Sequence, residues 1–445
     1  MIKTKEKERI ALEFKEKMDY DELLNCMRCG FCLPSCPTYI ESGMDEAHSP
    51  RGRIAMMKAV VDGDIEPNDD VKRSLDLCLG CRACEPVCPS GVKYGHLLEQ
   101  SRDIIYQNNK QSLPVKAVRS MVFHNLFPKQ NRIINATSLL GFYQRSGLQK
   151  IARKSGIMNF FPDTLKSMEK VLPTVPKKKQ LKSRPTHLLP LQNQKKKVAF
   201  FSGCLMDTIF MSTNDATMKL LRYAGCEIVI PNTQNCCGAL HGHSGERNKA
   251  KELAKKNILA FEKAQVDYII TNAGGCGAFL VDYDYLLKDD PEWKERATEF
   301  SSKIKDITSV LLELDFHKER LSLPDQIVTY QDSCHLKNGQ KTFMEPRKLL
   351  QSIQGVTYVE MEDASRCCGS AGIYNIVESE MSMRILDSKM EQTKKTNAKT
   401  VVTANPGCLL QMNLGIEREG LTRSIRAVHI VDLLLEAYET SNHTQ

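Results

Sequence analysis

Apolar positions fall into three regimes along the chain. Residues 1–25 form a charged run (Lys3, Lys5, Glu6, Lys7, Glu8, Arg9) with the character of a lead-in helix, and Ile54–Val61 reads as another helix. Over residues 101–170 apolar residues recur at helical spacing, as in Val115, Val118, Met121, Val122 and Leu126, punctuated by Pro114 and Pro128. Between 173 and 197, Pro173, Pro176, Pro185 and Pro190 and the basic clusters Lys177–Lys179 and Lys195–Lys197 break any period, so this stretch is predicted to be an extended linker. From Val198 onward short β-rich runs (Val198–Ser202, Tyr268–Thr271, Ile327–Tyr330, Thr400–Thr403) alternate with helical ones such as Asp215–Tyr223 and Glu246–Lys263. That alternation predicts α/β units built on parallel sheets.

The third regime is a duplication. Cys204, Cys236-Cys237-Gly238 and Cys276 recur as Cys334, Cys367-Cys368-Gly369 and Cys408, at offsets of 130, 131 and 132 residues. The predicted fold is therefore a mixed α+β and α/β multidomain chain. A two-cluster ferredoxin-type domain with its lead-in helix (1–100) precedes a basic helical segment (101–172) and the linker (173–197). Two α/β Cys-Cys-Gly domains follow (198–324 and 325–445).

Composition sharpens this picture at one residue type. Of 445 residues 17 are cysteine, an odd number, and no export signal pattern precedes them. A disulfide framework is a poor reading. Thiolate metal ligands in a reducing, cytoplasmic setting are a better one. No apolar run approaches the roughly 20 residues needed to cross a bilayer, so any membrane contact is expected to be peripheral, on the inner face of the cell membrane, or through a partner.

Eight cysteines carry the most specific spacing. Cys26-x2-Cys29-x2-Cys32-x3-Cys36-Pro37 is repeated as Cys78-x2-Cys81-x2-Cys84-x3-Cys88-Pro89. Three cysteines at i, i+3 and i+6 wrap three irons of a cube, and a fourth followed by proline is directed to the other cluster. The pattern predicts two [4Fe-4S] clusters, one on Cys26, Cys29, Cys32 and Cys88, the other on Cys78, Cys81, Cys84 and Cys36. Zinc is the alternative, but its ligands come as separated Cys-x2-Cys pairs, whereas each triplet here is continuous. Gly30 and Gly80 are expected where the backbone must approach the sulfides. Arg51 and Arg53 either donate to cluster sulfides or to a partner's carboxylates, or form a solvated turn before the helix.

The duplicated cysteines stand at predicted strand ends and in glycine-rich turns, the edge of an open α/β sheet where ligands gather. Cys204, Cys236, Cys237 and Cys276, and likewise Cys334, Cys367, Cys368 and Cys408, are candidate ligands for an additional iron–sulfur or metal centre, in each copy or shared. The alternative is buried structural cysteine. His241, His243 and His335 lie beside them as candidate ligands or proton relays. Cys226 has no counterpart and is predicted to pack in a core.

Net charge is +8, unevenly spread. From Ile104 to Pro162 there is no Asp or Glu, against nine Lys or Arg: Lys110, Lys116, Arg119, Lys129, Arg132, Arg145, Lys150, Arg153 and Lys154. Such a segment suits anionic lipid or an acidic protein surface. Nucleic acid ranks last, because no zinc-finger, helix-turn-helix or RNA-binding signature accompanies it.

Two ferredoxin motifs followed by two Cys-Cys-Gly domains resemble the iron–sulfur subunits of flavin-dependent 2-hydroxyacid dehydrogenases, nearest the glycolate oxidase type. The stretches that carry the resemblance are Cys29-Gly30-Phe31-Cys32 through Tyr39, Pro50–Ile54 and Cys88–Tyr94. The resemblance implies FAD-containing partner subunits that oxidise glycolate to glyoxylate. In related heterodisulfide-reductase subunits the last element reads Cys-x-x-Cys. Here Phe279 and Gln411 take the second cysteine's place, leaving four thiols per copy.

The chain has no Gly-x-Gly-x-x-Gly fingerprint after a strand, so flavin is expected on a partner and this chain is expected to pass electrons singly to an acceptor, with quinone a candidate. Catalytic residues are not legible. Two alternatives remain: the iron–sulfur subunit of anaerobic glycerol-3-phosphate dehydrogenase, and a stand-alone disulfide or quinone reductase using the Cys-Cys-Gly repeats.

Overall fold

The computed structural model describes residues 2–161 and 163–442; Pro162, which ends the acid-free segment, and the two chain ends lie outside them. The first hundred residues are helical, and among the described residues no strand precedes His187. Helices Thr4–Lys17, Pro50–Asp62, Asp69–Asp76 and Tyr94–Asn108 pack around Ile10, Phe14, Met57, Leu75, Leu97 and Leu98, with Cys78 and Cys84 in the same core. The lead-in run forms two helices, because the Asp19 carboxylate accepts the Glu22 N–H and starts a second one, Tyr20–Leu24. Helix Pro50–Asp62 begins at a Ser49 cap with proline in its first turn and ends at Gly63, whose φ of 83° only glycine adopts freely.

The basic segment departs from the helical face its spacing predicted. Helix Leu113–Arg119 runs on into a π-helical stretch, Ser120–Leu126. The wider turn changes which residues face inward. Phe123 is buried, while Val115, Val118 and Met121 stand exposed. The stretch 173–197, expected to extend, is instead seated. It carries a short helix, Lys178–Lys182, and the first strand. Val175 and Leu181 bury against Ile134 and Met211, and Gln144 and Arg145 bond the carbonyls of Pro173 and Val175 at 3.0 and 2.7 Å. The apolar residues between the lysines outweigh the breaking effect of the prolines.

The remainder holds two sheets. Strands β1 (His187–Leu188), β2 (Lys196–Phe200), β3 (Cys226–Val229), β4 (Tyr268–Thr271) and β5 (Ile304–Asp306) lie in the order β1-β3-β2-β4-β5, all parallel except β1. Strands β6 (Ser322–Tyr330), β7 (Gln354–Tyr358), β8 (Thr400–Thr403) and β9 (Arg426–His429) lie in the order β7-β6-β8-β9, all parallel. Removing β1 leaves one topology used twice. Both sheets share a single core, in which Val198, Phe200 and Ile270 of the first meet Val328, Tyr330 and Val402 of the second. Helices Met211–Tyr223 and Ile430–Asn442 contribute Leu220, Leu221, Leu433 and Leu434 to it, each fully buried and worth about 1.5–3 kcal/mol. This shared core fixes the two Cys-Cys-Gly turns relative to each other.

Candidate functional site: sixteen cysteines in four groups

The two ferredoxin-type motifs fold alike. Positive φ occurs two and four residues after the first cysteine of each, at Arg28 and Gly30 and again at Gly80 and Arg82. Gly30 has a φ of 87°, a left-handed conformation that glycine adopts freely, and the Arg51 guanidinium packs where a Cβ would point. Cys26, Cys29 and Cys32 line one cavity, and Cys84 and Cys88 from the other motif line it with them. Cys29 is the exposed member.

Cys36, Cys78, Cys81 and Cys84 are all buried, and Cys36 lies close enough to Cys81 and Cys84 to act on both thiols. Burial pushes the Cys81 and Cys84 thiols well above their ordinary range, and neighbouring thiols, Cys78 and Cys36 among them, push them further. Cys78 goes down. Burial raises it, but the Arg53 and Arg102 guanidinium groups, the Tyr94 hydroxyl and the Gly80 N–H together outweigh burial.

The structure separates the two arginines. Arg51 lies at the surface, bidentate to Glu46 at 2.6 and 3.0 Å, with Nη1 donating to Arg28 O. Arg53 is 0% exposed. Its Nε donates to Ser74 O (2.8 Å) and its Nη2 to Thr38 Oγ1 (3.0 Å), while Nη1 is buried without a hydrogen-bond partner. The titratable groups that act on it most are the Cys78 thiol, the Tyr94 hydroxyl and the Cys36 thiol. An orphaned guanidinium N–H among thiols fits an anionic group bound there. Among the described residues no set of three or more His, Cys, Asp or Glu side chains has the tight geometry of a single-ion site. A four-iron cube spaces its ligand sulfurs more widely than one tetrahedral ion does.

Each Cys-Cys-Gly copy draws its four thiols into a chain of sulfur contacts. In copy 1, Cys204 meets Cys236 at 3.6 Å, and the chain continues through Cys237 to Cys276. In copy 2 it runs Cys334, Cys367, Cys368, Cys408. The turn glycines are required: Gly238 and Gly369 have φ of 88° and 90°, and a Cβ on Gly369 would lie 2.6 Å from Ser382 O. Phe279 and Gln411 occupy equivalent places beside these glycines. Phe279 packs in the apolar core of copy 1, and Gln411 bonds Ser382 Oγ and Asn375. Copy 2 adjoins the ferredoxin unit: Cys81, Cys334 and Cys367 share one apolar cluster, Asn338 Nδ2 donates to Cys81 O (2.9 Å), and Tyr374 OH donates to Leu77 O (2.9 Å).

The histidines divide. His335 Nδ1 contacts Cys334 Sγ at 3.6 Å, and burial, with the charges of His243 and Arg82, pushes its pKa down to about 3. His243 bonds Glu99 at 2.8 Å and stacks on His335. His241 bonds Phe123 O, in the basic segment. Cys226 is buried on β3 in the shared core, as predicted. Sequence reasoning missed Arg102, which donates to Cys78 O, and Lys389, buried beside Cys367 and Cys368. Only the second left a signal: a lysine on the apolar stripe Ile385, Leu386, Met390.

Comparison with known proteins agrees with this layout. Family models match as a 4Fe-4S dicluster domain over residues 22–92, the linker region of the glycolate oxidase iron–sulfur subunit over 114–172, and a cysteine-rich domain twice, over 198–281 and 328–413. A probable glycolate oxidase iron–sulfur subunit of Bacillus subtilis is 67% identical over 98% of this chain and 99% of its own. The glycolate oxidase iron–sulfur subunit of Escherichia coli is 32% identical over 88% of this chain and 90% of its own. A lactate utilization protein A of Exiguobacterium is 32% identical over 54% of this chain and 97% of its own. The glycerol-3-phosphate alternative is not favoured by these relatives. This chain belongs to the family of glycolate oxidase iron–sulfur subunits.

Proposed function

We propose that this chain is the electron-transfer subunit of a glycolate-oxidising complex and that it holds two [4Fe-4S] clusters, on Cys26, Cys29, Cys32 and Cys88 and on Cys78, Cys81, Cys84 and Cys36. What supports the reading is the placement of the fourth cysteines: Cys88 lines the cavity of the first triplet, together with Cys84, while Cys36 is buried close to Cys81 and Cys84. When bound, such clusters accept and release single electrons. The chain's own residues set the surroundings. The exposed Cys29 loop leaves the first site open to a partner. Arg53 and Arg102 bring positive charge to the second, buried site.

Oxidation of glycolate to glyoxylate belongs, in this reading, to FAD-containing partner subunits in the cytoplasm. The test is turnover. Glycolate oxidation should require the flavoprotein partners together with this chain; turnover of glycolate by this chain alone would refute the subunit reading.

A peripheral contact with the inner membrane face, close to a quinone pool, is favoured by a separate observation. The acid-free segment exposes the apolar Leu113, Val115, Val118, Met121, Leu139 and Phe142 and also the basic Lys116, Lys129, Lys150 and Lys154. Apolar area and positive charge exposed on one segment both favour an anionic leaflet. No described helix is long and apolar enough to cross a membrane.

A further inference from the structure

A cavity of about 840 Å³ lies apart from both ferredoxin-type sites, between the basic segment, the seated stretch and the first sheet. Its volume falls in the range of small-molecule sites, about 300–1,000 Å³. Ser202 and Gly203, just after β2, and Ile230 and Asn232, just after β3, form one wall. This is the carboxyl edge of the sheet, where open α/β sheets take ligands. Lys129 to Arg132 form a second wall, and Lys182, Arg184 and Thr186 a third.

The charge of this groove is one-sided. Lys129, Arg132, Lys182 and Arg184 line it against a single carboxylate, Asp207. Asp207 is buried and already held by Arg184 Nε at 2.9 Å, while Arg184 Nη1 donates to Asp215 at 2.7 Å. Arg132 commits one nitrogen to Asn125. Lys129 and Lys182 are exposed, and their ammonium groups have no partner among the described residues. Neutral donors stand between the cations. The first turn of helix Gln130–Arg145 lines the groove with no side-chain cap and no acid, so its leading N–H groups are free for an acceptor. On the sheet wall Ser202 is 6% exposed. Its backbone is engaged by Gln234 and Asn214, but its hydroxyl makes no hydrogen bond among the described residues. A hydroxyl withdrawn from bulk water without a partner costs free energy that a ligand acceptor restores. The buried Ile134, Leu181 and Ile230 also line the groove, and they suit the carbon body of an organic ligand.

We propose that this groove binds a multiply charged organic anion, carrying carboxylate or phosphate groups, through Lys129, Arg132, Lys182, the first turn of helix Gln130–Arg145 and the Ser202 hydroxyl. The cavity is far larger than glycolate, and a single carboxylate would leave most of these donors unmet. The ligand is therefore not the oxidised substrate. Gly203 and Asn235, which line the groove, immediately precede Cys204 and Cys236. A ligand seated there joins the basic segment to the first Cys-Cys-Gly unit, one residue away from two of its thiols.

The test uses the full chain, purified without oxygen, with citrate, pyrophosphate and ADP as probes and acetate as the singly charged control. Calorimetric titration reads affinity, and acylation of lysine amines followed by mass spectrometry reads the place. At least one probe should bind wild type with a Kd of about 1 mM or tighter, and acetate should not. At saturation that probe should slow acylation of Lys129 and Lys182 and leave Lys178 and Lys179 unprotected. The double variant Lys129→Gln, Lys182→Gln should weaken binding about tenfold or more, since two charge-assisted bonds are lost. Ser202→Ala should weaken it about threefold. Lys178→Gln with Lys179→Gln removes the same charge from the same short helix outside the groove, and should leave the affinity unchanged. Failure of all three probes to bind, equal loss in the two lysine pairs, or unprotected Lys129 and Lys182 would each overturn the proposal. So would binding confined to anionic vesicles or to an oligoglutamate peptide, titrated in parallel at the same salt, which would make the groove a lipid or protein contact instead.

Discussion

Arg53 offers the sharpest perturbation of the ferredoxin-type unit. Arg53→Met keeps most of the side-chain volume and removes the charge. In the metal-free chain the effect on stability should be small, because two terms oppose. The Ser74 O and Thr38 Oγ1 contacts are lost, at about 1.5–3 kcal/mol each for bonds to a charged donor. A buried guanidinium with an unpartnered Nη1, whose own burial costs several kcal/mol, is removed with them. With the cluster bound, only the electrostatic term separates the two oxidation levels. A unit charge about 4 Å away in an effective dielectric of about 20 is worth about 4 kcal/mol per electron. Since about 1.4 kcal/mol corresponds to 59 mV for one electron, the midpoint should fall by an amount on the order of 100 mV. The assay is a redox titration of the two [4Fe-4S] paramagnetic signals, with Arg51→Met for comparison, since Arg51 lines the cavity of Cys26, Cys29 and Cys32 instead. Arg53→Met should move the signal of the second site, and Arg51→Met should leave that signal in place. If both midpoints in Arg53→Met coincide with wild type, or if Arg51→Met moves the second site's midpoint as far, Arg53 is not the charge that serves the second site.

Three further outcomes follow from the same structure. His429 is fully buried, its Nε2 donating to Asn272 O, and burial holds its pKa down to about 4 from an ordinary 6.5. The unfolded chain therefore takes up a proton at higher pH than the folded one, and the stability His429 contributes is present above pH 6.5 and lost as pH falls towards 4. Relative to His429→Gln, wild type should lose about 3 kcal/mol between pH 7 and pH 4 in urea titrations; a constant difference would contradict the assignment. Replacing the exposed Lys116, Lys129, Lys150 and Lys154 with glutamine should release the protein from anionic vesicles in flotation, at about 1 kcal/mol per charge at low salt. If unmodified protein, alone and with its partners, never floats, the surface belongs to a protein interface. Purified flavoprotein partners should need this chain to pass electrons from glycolate to an external acceptor. Equal rates without it would remove it from the path.

The duplication was legible because it is written in cysteines and glycines at nearly one interval, and both residue types are forced there by local geometry. Tyr268–Thr271 and Thr400–Thr403 were legible as strands, being short apolar β-branched runs buried on both faces. Strands β3, β7 and β9 were not, because Cys226–Val229, Gln354–Tyr358 and Arg426–His429 mix polar residues into half-buried positions. The seated course of residues 173–197 was hidden because Val175 and Leu181 are isolated among lysines and prolines and find their partners only in three dimensions. The same holds for Arg53 and Lys389. A cation in a sequence reads as surface, and burial beside thiols becomes visible only once the helix that carries it is packed.

The central claim is that the fourth cysteine of each motif serves the other motif's site. It is tested most directly by the paramagnetic spectra of reduced Cys36→Ser and Cys88→Ser, each compared with Cys29→Ser and Cys81→Ser. Cys36→Ser should lose or alter the signal lost in Cys81→Ser, and Cys88→Ser the signal lost in Cys29→Ser. If Cys36→Ser instead removes the Cys29→Ser signal and leaves the other intact, the crossing is wrong, and the placement of Arg53 at the second site falls with it.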